Sequence, residues 1–264
     1  EGYRVGGTNR ARGTPTLPIE YGQDIIENKE IGLKSSWAEN TIQFNATYYE
    51  MGWSDMQLEL TDPAFGIGEP WQAVVANLGD GTVRGMDIDL TALVGDIQFG
   101  FNMTKVFDAY VESQYWNSAT GQTEYPDSRF EGGVAVIGLG QKASLPLFGD
   151  IAYSLYTEYV GPINLFGDDT QGFARLQHSY NGESLNQLSD SGNAPRFTQG
   201  DYRVTDLIMG FDVGDWKAQL SLNNITDERG ISFRDSSDFD PYYGRYSDSV
   251  IRPKNYSLSL RRYF

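Results

Sequence analysis

Apolar and polar residues alternate one by one along several stretches of this chain, which is the period of a β-strand with one buried face. In residues 41–48 the two sets are Ile42, Phe44, Ala46, Tyr48 and Thr41, Gln43, Asn45, Thr47. At the C-terminal end they are Tyr256, Leu258, Leu260, Phe264 and Asn255, Ser257, Ser259, Arg261. Only Arg262 breaks the apolar face of that last stretch. The pattern predicts an all-β protein.

The same pattern, interrupted by clusters of Gly, Pro, Asn and Asp, predicts about ten strands. They fall within residues 1–7, 27–36, 41–60, 71–93, 97–110, 130–145, 151–160, 201–213, 216–226 and 251–264. Long connections (8–26, 61–69, 111–128, 161–200 and 227–250) alternate with short turns. In an up-and-down barrel every second connection lies on the same rim. The alternation therefore predicts an antiparallel outer-membrane β-barrel with short turns on one rim and long loops on the other.

Composition agrees with a barrel that has one lipid-facing and one polar face. Apolar residues make up 39% of the 264 residues and aromatic residues 14%. No run of apolar residues is long enough for a transmembrane helix, so membrane insertion requires strands. The net charge of -16, with no basic run, excludes nucleic acid as a partner.

Six stretches carry a family resemblance, and their order spans almost the whole chain. They are GYRVGGTNR at 2–10, ENKEIGLKSSW at 27–37, NATYY at 45–49, VANLGDGTVRGMDIDL at 75–90, LSLNNITDERG at 220–230 and the ending YSLSLRRYF. With these stretches the chain resembles the C-terminal barrel of TonB-dependent outer-membrane receptors. The resemblance implies a 22-stranded barrel filled by an N-terminal plug domain. It also implies active import of a siderophore, cobalamin or sugar, without chemistry on the substrate.

About ten strands are found here, and neither a plug nor an energy-coupling box is found. We therefore expect residues 1–264 to be a single domain that forms the last part of a longer barrel. A self-contained ten-stranded barrel is the alternative. The polar face, with Gln43, Asn45, Asp87, Asp89, Gln98 and Asn102, would then face the barrel interior and, by the resemblance, the plug.

The resemblance also implies the partners. They are outer-membrane lipid and lipopolysaccharide, the protein's own plug, the inner-membrane TonB complex, the barrel assembly machinery and a small-molecule ligand. Tyr256, Leu258, Leu260 and Phe264 resemble the terminal insertion signal of bacterial outer-membrane barrels, which ends in Phe. An iron-siderophore complex is the first expectation for the ligand.

Aromatic and arginine side chains in the long connections are the candidate ligand contacts. They are Arg10, Arg12, Tyr115, Trp116, Phe166, Phe173, Arg175, His178, Tyr180, Arg234, Tyr242, Tyr243, Arg245 and Tyr246. Aromatic rings offer stacking area, and arginine offers a planar fork for carboxylates of an anionic chelate. Some of these residues are alternatively girdle residues at the lipid interface.

Two further functions are consistent with a barrel of this size. His178, the only histidine, lies near Asp168, Asp169 and Asp190 in sequence, and an outer-membrane protease of the omptin type would use such groups. An exposed loop histidine is the simpler interpretation. A passive pore is the other alternative.

An acid-rich stretch, Asp235, Asp238 and Asp240, is the one candidate cation site. Carboxylate oxygens are suitable calcium ligands. The stretch lacks the glycine and the distal glutamate of the twelve-residue calcium loop, so a solvated acidic loop is the alternative. No resident cofactor is expected.

Overall fold

A computed structural model of the chain describes residues 1–9, 20–61, 73–77, 79–113, 115–117, 122–124, 142–146, 149–164, 170–186, 197–240 and 245–264. In chain order its strands are β1 (Gly2–Arg4), β2 (Gly7–Thr8), β3 (Glu20–Tyr21), β4 (Asp24–Trp37), β5 (Ile42–Ser54), β6 (Gln57–Thr61), β7 (Ala73–Asn77), β8 (Gly79–Val94), β9 (Ile97–Ser113), β10 (Tyr115–Asn117), β11 (Gln122–Glu124), β12 (Lys142–Ser144), β13 (Ile151–Pro162), β14 (Gln171–Asn181), β15 (Ser184–Leu185), β16 (Thr198–Gln199), β17 (Tyr202–Val213), β18 (Trp216–Asn223), β19 (Ile231–Asp240), β20 (Arg245–Val250) and β21 (Asn255–Arg262). No helix long and apolar enough to cross a bilayer occurs in these ranges.

One large antiparallel sheet organises the molecule. Its strand order is β1-β4-β5-β8-β9-β13-β14-β17-β18-β21, and β12 pairs with β9 beside this path. Neighbours in the sheet follow each other along the chain, as in an up-and-down barrel. The predicted all-β, antiparallel barrel fold is confirmed.

Strand β14 corrects the sequence-based assignment. Residues 161–200 were expected to be irregular, but Gln171–Asn181 pairs along its whole length with β13 on one side and β17 on the other. The prediction failed because His178 and two small residues, Gly172 and Ala174, occupy the face that is strongly apolar in the other strands. Of the strand expected at 130–145, residues 130–141 lie outside the described residues, and Lys142–Ser144 forms only the short β12.

Short and long connections alternate around the sheet as expected, but the short turn expected between 145 and 151 lies within a long connection, and the expected long loop 161–200 contains a short connection and β14. The short connections are residues 38–41, 95–96, 163–170 and 214–215, and the long ones are 5–23, 55–78, 114–150, 182–201 and 224–254. The long connections contain two-stranded hairpins, namely β2-β3, β6-β7, β10-β11, β15-β16 and β19-β20. The expected loops are therefore partly regular structure that extends beyond the main sheet.

Two of the short turns depend on glycine in the left-handed region. Gly95 has φ of 60° and Gly214 has φ of 53°. Each is the first residue of a two-residue hairpin loop, where positive φ matches the twist of the flanking strands. Gly95 and Gly214 therefore set the register of the β8-β9 and β17-β18 hairpins.

Cross-strand pairing places the predicted apolar set on one face of the sheet. Ala46 pairs with Ile88, Ile88 with Met103, and Met103 with Tyr153. Large side chains on this face have little cover from the described residues: Leu258, for example, is 78% exposed. Such a surface is suited to lipid, so we assign it to the outside of the barrel.

The opposite face is polar and lines the interior. Asn45 pairs with Asp89, and its amide Nδ2 donates a hydrogen bond of 3.2 Å to the Asp89 carboxylate. The hydroxyl of Thr104 donates to Asp87 at 2.7 Å. The interior aspartates predicted from the alternation therefore have partners within the wall.

Aromatic residues mark both edges of the apolar face. Toward the long connections, Tyr48 stacks on Phe107 and Tyr153 stacks on Tyr180, with centroid distances of 6.4 and 5.1 Å. Toward the short turns, Trp216 lies at the end of β18. These positions match the aromatic girdles of outer-membrane barrels.

The terminal strand has the predicted faces but ends early. Tyr256, Leu258 and Leu260 pair with Leu222, Leu220 and Ala218 on the outer face. The strand stops at Arg262, so Phe264 lies beyond it rather than in it. The role of these four residues in insertion stays a prediction.

Candidate functional site

A buried carboxylate holds together the rim of long connections at one end of the sheet. Asp24 is 1% exposed and accepts hydrogen bonds from Arg4 Nε at 3.0 Å, Trp53 Nε1 at 2.9 Å and the Gln57 backbone N–H at 3.1 Å. Arg4 also lies over the Trp53 ring, 5.0 Å from its centroid. We call Arg4, Asp24, Trp53 and Gln57 the Asp24 cluster. A buried charge needs such complete pairing to be stable.

The Asp24 cluster joins two long connections to each other. The Gln57 side-chain amide donates to the carbonyl oxygens of Val5 at 3.0 Å and Gly22 at 2.9 Å. Gly22 in turn forms two hydrogen bonds with the Asn77 side chain. The Gly22 N–H donates to Asn77 Oδ1 at 2.7 Å, and Asn77 Nδ2 donates to the Gly22 carbonyl at 3.2 Å. Residues 5–23 and 55–78 are therefore held as one unit at their bases.

A second cluster joins two other long connections. Arg234 on β19 forms a two-pronged ion pair with Asp248 on β20, at 2.7 and 2.8 Å. Its guanidinium lies 3.9 Å from the Tyr246 ring centroid and 5.2 Å from that of Phe197. Phe197 belongs to connection 182–201 and the other three residues to connection 224–254. We call Phe197, Arg234, Tyr246 and Asp248 the Arg234 cluster.

The electrostatics of this cluster favour the ion pair at neutral pH. Hydrogen bonding from Arg234 holds the pKa of the Asp248 carboxyl below its ordinary value, against an opposing effect of burial. The same contact raises the pKa of Arg234. The fork of Arg234 is consequently occupied by a carboxylate of its own hairpin.

The base of connection 224–254 is closed by an asparagine. Asn224 is 2% exposed, has φ of 49°, and its Nδ2 donates to the carbonyls of Glu228 and Arg252, both at 3.0 Å. Asp227 accepts from the Lys254 backbone N–H, which lowers the pKa of Asp227. The stretch LSLNNITDERG therefore encodes the strand end and the closure of the last long connection.

A pocket of about 380 Å³, which we call the mouth pocket, is lined partly by Ile231 and Ser232 of β19, the strand that also carries Arg234. One row of inward-facing positions contributes Thr104, Ala152, Asn181 and Tyr202 to its lining. Gln199 also lines it, is 4% exposed, and neither its Nε2 nor its Oε1 has a hydrogen-bond partner among the described residues. A buried amide without partners is unfavourable unless something hydrogen-bonds to it. The mouth pocket can therefore offer one donor and one acceptor to a polar guest.

The inner wall holds another arginine predicted to contact ligand. Arg175 Nη1 donates to Glu158 at 3.2 Å, and its guanidinium lies 3.9 Å from the Tyr156 ring centroid. Tyr156 in turn accepts from Gln98 at 2.7 Å. Both described arginines of the predicted site, Arg175 and Arg234, are thus already paired with carboxylates.

The predicted contact residues divide into groups by where the structure places them. Arg10, Arg12, Phe166, Tyr242 and Tyr243 lie outside the described residues, and Tyr115, Trp116 and Arg245 lie in strands whose side chains there are not described. Arg234 and Tyr246 lie together in the Arg234 cluster. Phe173, Arg175, His178 and Tyr180 lie on β14, so their assignment to a loop is wrong.

Two of the β14 residues point away from the interior. His178 pairs with Leu155, and Tyr180 with Tyr153, on the outer face. The His178 Nδ1 lies 2.9 Å from the Thr205 hydroxyl, and the described residues place no carboxylate in hydrogen-bond contact with the imidazole. Tyr180 belongs to the aromatic girdle, which was the stated alternative.

Sequence reasoning missed Asp24, Gln199 and Phe197. Asp24 lies at the start of a strand, where an aspartate looks like an ordinary turn residue. Gln199 lies in a polar stretch with no local pattern. A signal for Phe197 existed, because an isolated aromatic in a polar loop suggests a contact, but it gives no partner.

Metal binding has no support within the described residues, which contain no group of three or more His, Asp or Glu side chains placed to hold an ion. The side chains of Asp235, Asp238 and Asp240 lie outside that description. A calcium ion at this stretch stays a prediction.

Comparison with known proteins gives a family match. The family model of the TonB dependent receptor-like beta-barrel matches residues 2–225. No curated protein sequence matched the chain.

Solved structures of similar fold include uptake, import and siderophore receptors. The ferric yersiniabactin uptake receptor FyuA from Yersinia pestis matches with a TM-score of 0.66 at 16% identity, over 100% of this chain and 34% of that one. The ferric-catecholate import receptor Fiu from E. coli K12 matches at 0.60 and 17%, over 96% of this chain and 30% of that one. The siderophore receptor PiuA from Acinetobacter baumannii matches at 0.58 and 16%, over 90% and 28%. The chain therefore spans about a third of the length of the solved structures it matches.

Proposed function

Because this chain belongs to the β-barrel family of TonB-dependent receptors, which places it in the bacterial outer membrane, we propose that the protein is an active importer. It binds a scarce nutrient at the rim of long connections and takes it inward with energy from the inner-membrane TonB complex. It performs no chemistry on the nutrient. The plug and the TonB contact belong to sequence beyond these 264 residues.

The observation that carries this proposal is the mouth pocket, whose lining includes residues from the two connections that the Arg234 cluster joins. A binding site needs walls that keep their shape, and the Arg234 cluster joins the two connections that contribute Gln199 and Ile231 to the pocket lining. Gln199 supplies a buried amide without a partner among the described residues. Pre-organised polar groups of this kind give ligand sites their specificity.

We propose an iron-siderophore complex as the nutrient. The similar structures named above are described as uptake or import receptors for ferric yersiniabactin and ferric catecholate, which supports this class. Since Arg175 and Arg234 are occupied by carboxylates, amide, hydroxyl and aromatic groups such as Gln199, Asn181 and Tyr202 carry recognition in the described part. Arg10, Arg12, Phe166, Tyr242 and Tyr243 remain proposed contacts from the connections above.

The proposal is tested by uptake in cells that produce the intact receptor. Hydroxamate and catecholate siderophores loaded with radioactive iron are the probes, supplied to strains with and without a functional TonB complex. We expect saturable uptake of at least one probe only when the TonB complex is functional. Uptake of none, or uptake that ignores the TonB complex, contradicts the proposal.

Replacing Gln199 by Ala tests whether the probe binds in the mouth pocket rather than elsewhere in the barrel. Loss of a buried hydrogen bond to ligand is expected to weaken probe binding about tenfold. Gln43→Ala is the matched control, because Gln43 is an inward glutamine at the opposite, short-turn end. If the Gln199→Ala protein binds the probe as tightly as the wild type, the ligand binds elsewhere in the mouth.

Two other functions have distinct outcomes. A passive pore would show steady ion conductance in planar bilayers, and an importer with its plug in place would not. A protease dependent on His178 lacks support, because the imidazole lies on the outer face beside Leu155 and Thr205. We expect His178→Ala to leave uptake unchanged.

A further inference from the structure

An apolar groove of about 400 Å³ crosses the outer face near the short turns. Its floor is formed by outward positions with minimal side chains, Gly172, Ala174 and Ala218. A Cβ on Gly172 would come within 2.6 Å of Ile163, so the Ile163 side chain covers that glycine and closes one end. The larger lining residues are Tyr159, Met209, Phe211, Leu220 and Leu258. The groove is a concave strip on a surface that is otherwise covered by protruding side chains.

In the part of the chain that the structure describes, Arg262 is the cation at the short-turn end of the same face. Arg262 pairs with Trp216 on the outside of the barrel, two positions beyond Leu260, which pairs with the groove residue Ala218. Two residues of a strand span about 7 Å, so the guanidinium is within one side chain's reach of the groove. The cation lies 5.4 Å from the Trp216 ring centroid and 5.0 Å from that of Phe264.

Unlike the outward cations Arg84 and Lys105, Arg262 has no carboxylate partner among the described residues. Arg84 pairs with Glu50 at 3.1 Å, and Lys105 pairs with Asp150 at 2.9 Å, both toward the long connections. Within the described ranges the contacts of the Arg262 guanidinium are with the rings of Trp216 and Phe264. At the edge of a lipid-facing surface, an unpaired guanidinium favours an anion, and phosphate matches its fork.

We propose that this groove and Arg262 together bind one glycerophospholipid of the inner leaflet of the outer membrane. One acyl chain lies in the groove, and the phosphodiester accepts hydrogen bonds from Arg262. Trp216 lies at the depth where aromatic rings meet headgroups, which sets the phosphate at the correct level. The short turns mark the periplasmic rim, so a lipid of the opposite leaflet would carry its headgroup at the far edge of the sheet.

The test is native mass spectrometry of the intact receptor, purified in detergent and titrated with dioleoylphosphatidylglycerol. The wild-type protein is expected to retain one lipid at low molar excess. Replacing Arg262 by Gln removes a charge-assisted hydrogen bond and should weaken retention about tenfold. Arg261→Gln is the matched control, because Arg261 is the adjacent arginine and faces the interior, where it pairs with Lys217 across the strands.

A second pair of variants tests the groove without touching the charge. Ala218→Phe fills the floor and is expected to reduce retention, whereas Ala46→Phe adds the same ring on the outer face of β5 and should not. That each variant is folded is checked by its resistance to denaturation in detergent without heating. Arg262→Lys, which keeps the charge, should retain part of the affinity.

Several outcomes overturn the proposal. Equal losses for Arg261→Gln and Arg262→Gln would show general charge attraction, and unchanged retention in Arg262→Gln or Ala218→Phe would show that the lipid binds elsewhere. Preferential displacement of phosphatidylglycerol by lipopolysaccharide would assign the groove to the other leaflet.

Discussion

Trp53 Nε1 donates a hydrogen bond of 2.9 Å to the carboxylate of Asp24, although the residue opposite Trp53 in the ladder is Ile26. The contact runs diagonally along the inner face, from β5 toward the first residue of β4. It draws the indole against the start of β4 and positions the ring under the Arg4 guanidinium. A single carboxylate thereby connects three strands and the base of connection 55–78.

Replacing Asp24 by Asn should loosen this end of the rim. The neutral amide weakens the hydrogen bonds from Arg4, Trp53 and the Gln57 N–H, and because Arg4 is 51% exposed and keeps its hydration, the loss should be about 1 to 3 kcal/mol. We expect rapid proteolysis in residues 5–23 and 55–78 while the barrel remains folded, measured by limited digestion and mass spectrometry. Asp96→Asn, on the short-turn rim, is the control and should digest like wild type.

Acid should open the last hairpin through Asp248. The pKa of Asp248 is lowered in the folded protein because Arg234 donates hydrogen bonds to it. Its stabilising contribution is therefore present above the ordinary carboxyl pKa and is lost as the pH falls through the lowered folded value. Amide exchange in β19 and β20, compared after correction for intrinsic rates, should rise selectively in acid.

An Asp248→Asn protein should lose this pH dependence. Its hairpin amides are expected to exchange about two- to fivefold faster at neutral pH, the range for one partly exposed ion pair. Exchange that rises equally in acid for both proteins would assign the effect to another group.

Gly95 should resist substitution for conformational reasons alone. Its φ is 60° and nothing lies within 4 Å of the position of a Cβ. Gly95→Ala should destabilise the barrel by about 1 to 2 kcal/mol, the left-handed penalty of an L-residue. Gly52→Ala, which has equal space and an ordinary φ, should be close to neutral in urea unfolding.

Arginine substitutions at adjacent positions in neighbouring strands should distinguish the outer from the inner face of the sheet by their effect on stability. Leu90 faces outward against Phe101, and Asn102 faces inward against Asp89. An arginine at Leu90 should destabilise the barrel by about 2 to 4 kcal/mol if it lies near the bilayer midplane. An arginine at Asn102 gains a nearby carboxylate and should cost much less, as measured by folding into lipid vesicles. Equal effects would contradict the face assignment.

The local pattern was sufficient to predict most of the main sheet. Strand β5 keeps strict alternation from Ile42 to Tyr48, and every one of its outward residues pairs with an outward residue of β8. Strand β14 was missed because its outer face reads Gly172, Ala174, Leu176, His178 and Tyr180. Glycine, alanine and histidine at these outward positions interrupt the apolar alternation, so the sequence of β14 carries a weak strand signal.

The candidate site was predicted less well because its contacts join distant residues. The Asp24 cluster links positions from Arg4 to Gln57, and the Arg234 cluster links Phe197 to Tyr246. Neither pairing has a periodicity that a sequence can show. Of the aromatic and arginine residues expected at the rim, the structure brings Arg234 and Tyr246 together there, and composition could not show that Arg175 and Arg234 already have carboxylate partners.

The two clusters make the long connections behave as pairs, 5–23 with 55–78 and 182–201 with 224–254. Exchanging one loop at a time between receptors would therefore disturb more than the exchanged segment. In this barrel a lone transplant would separate Gln57 from Gly22, or Arg234 from Phe197, and leave the remaining half without its support. Chimaeras should therefore carry both members of a pair together.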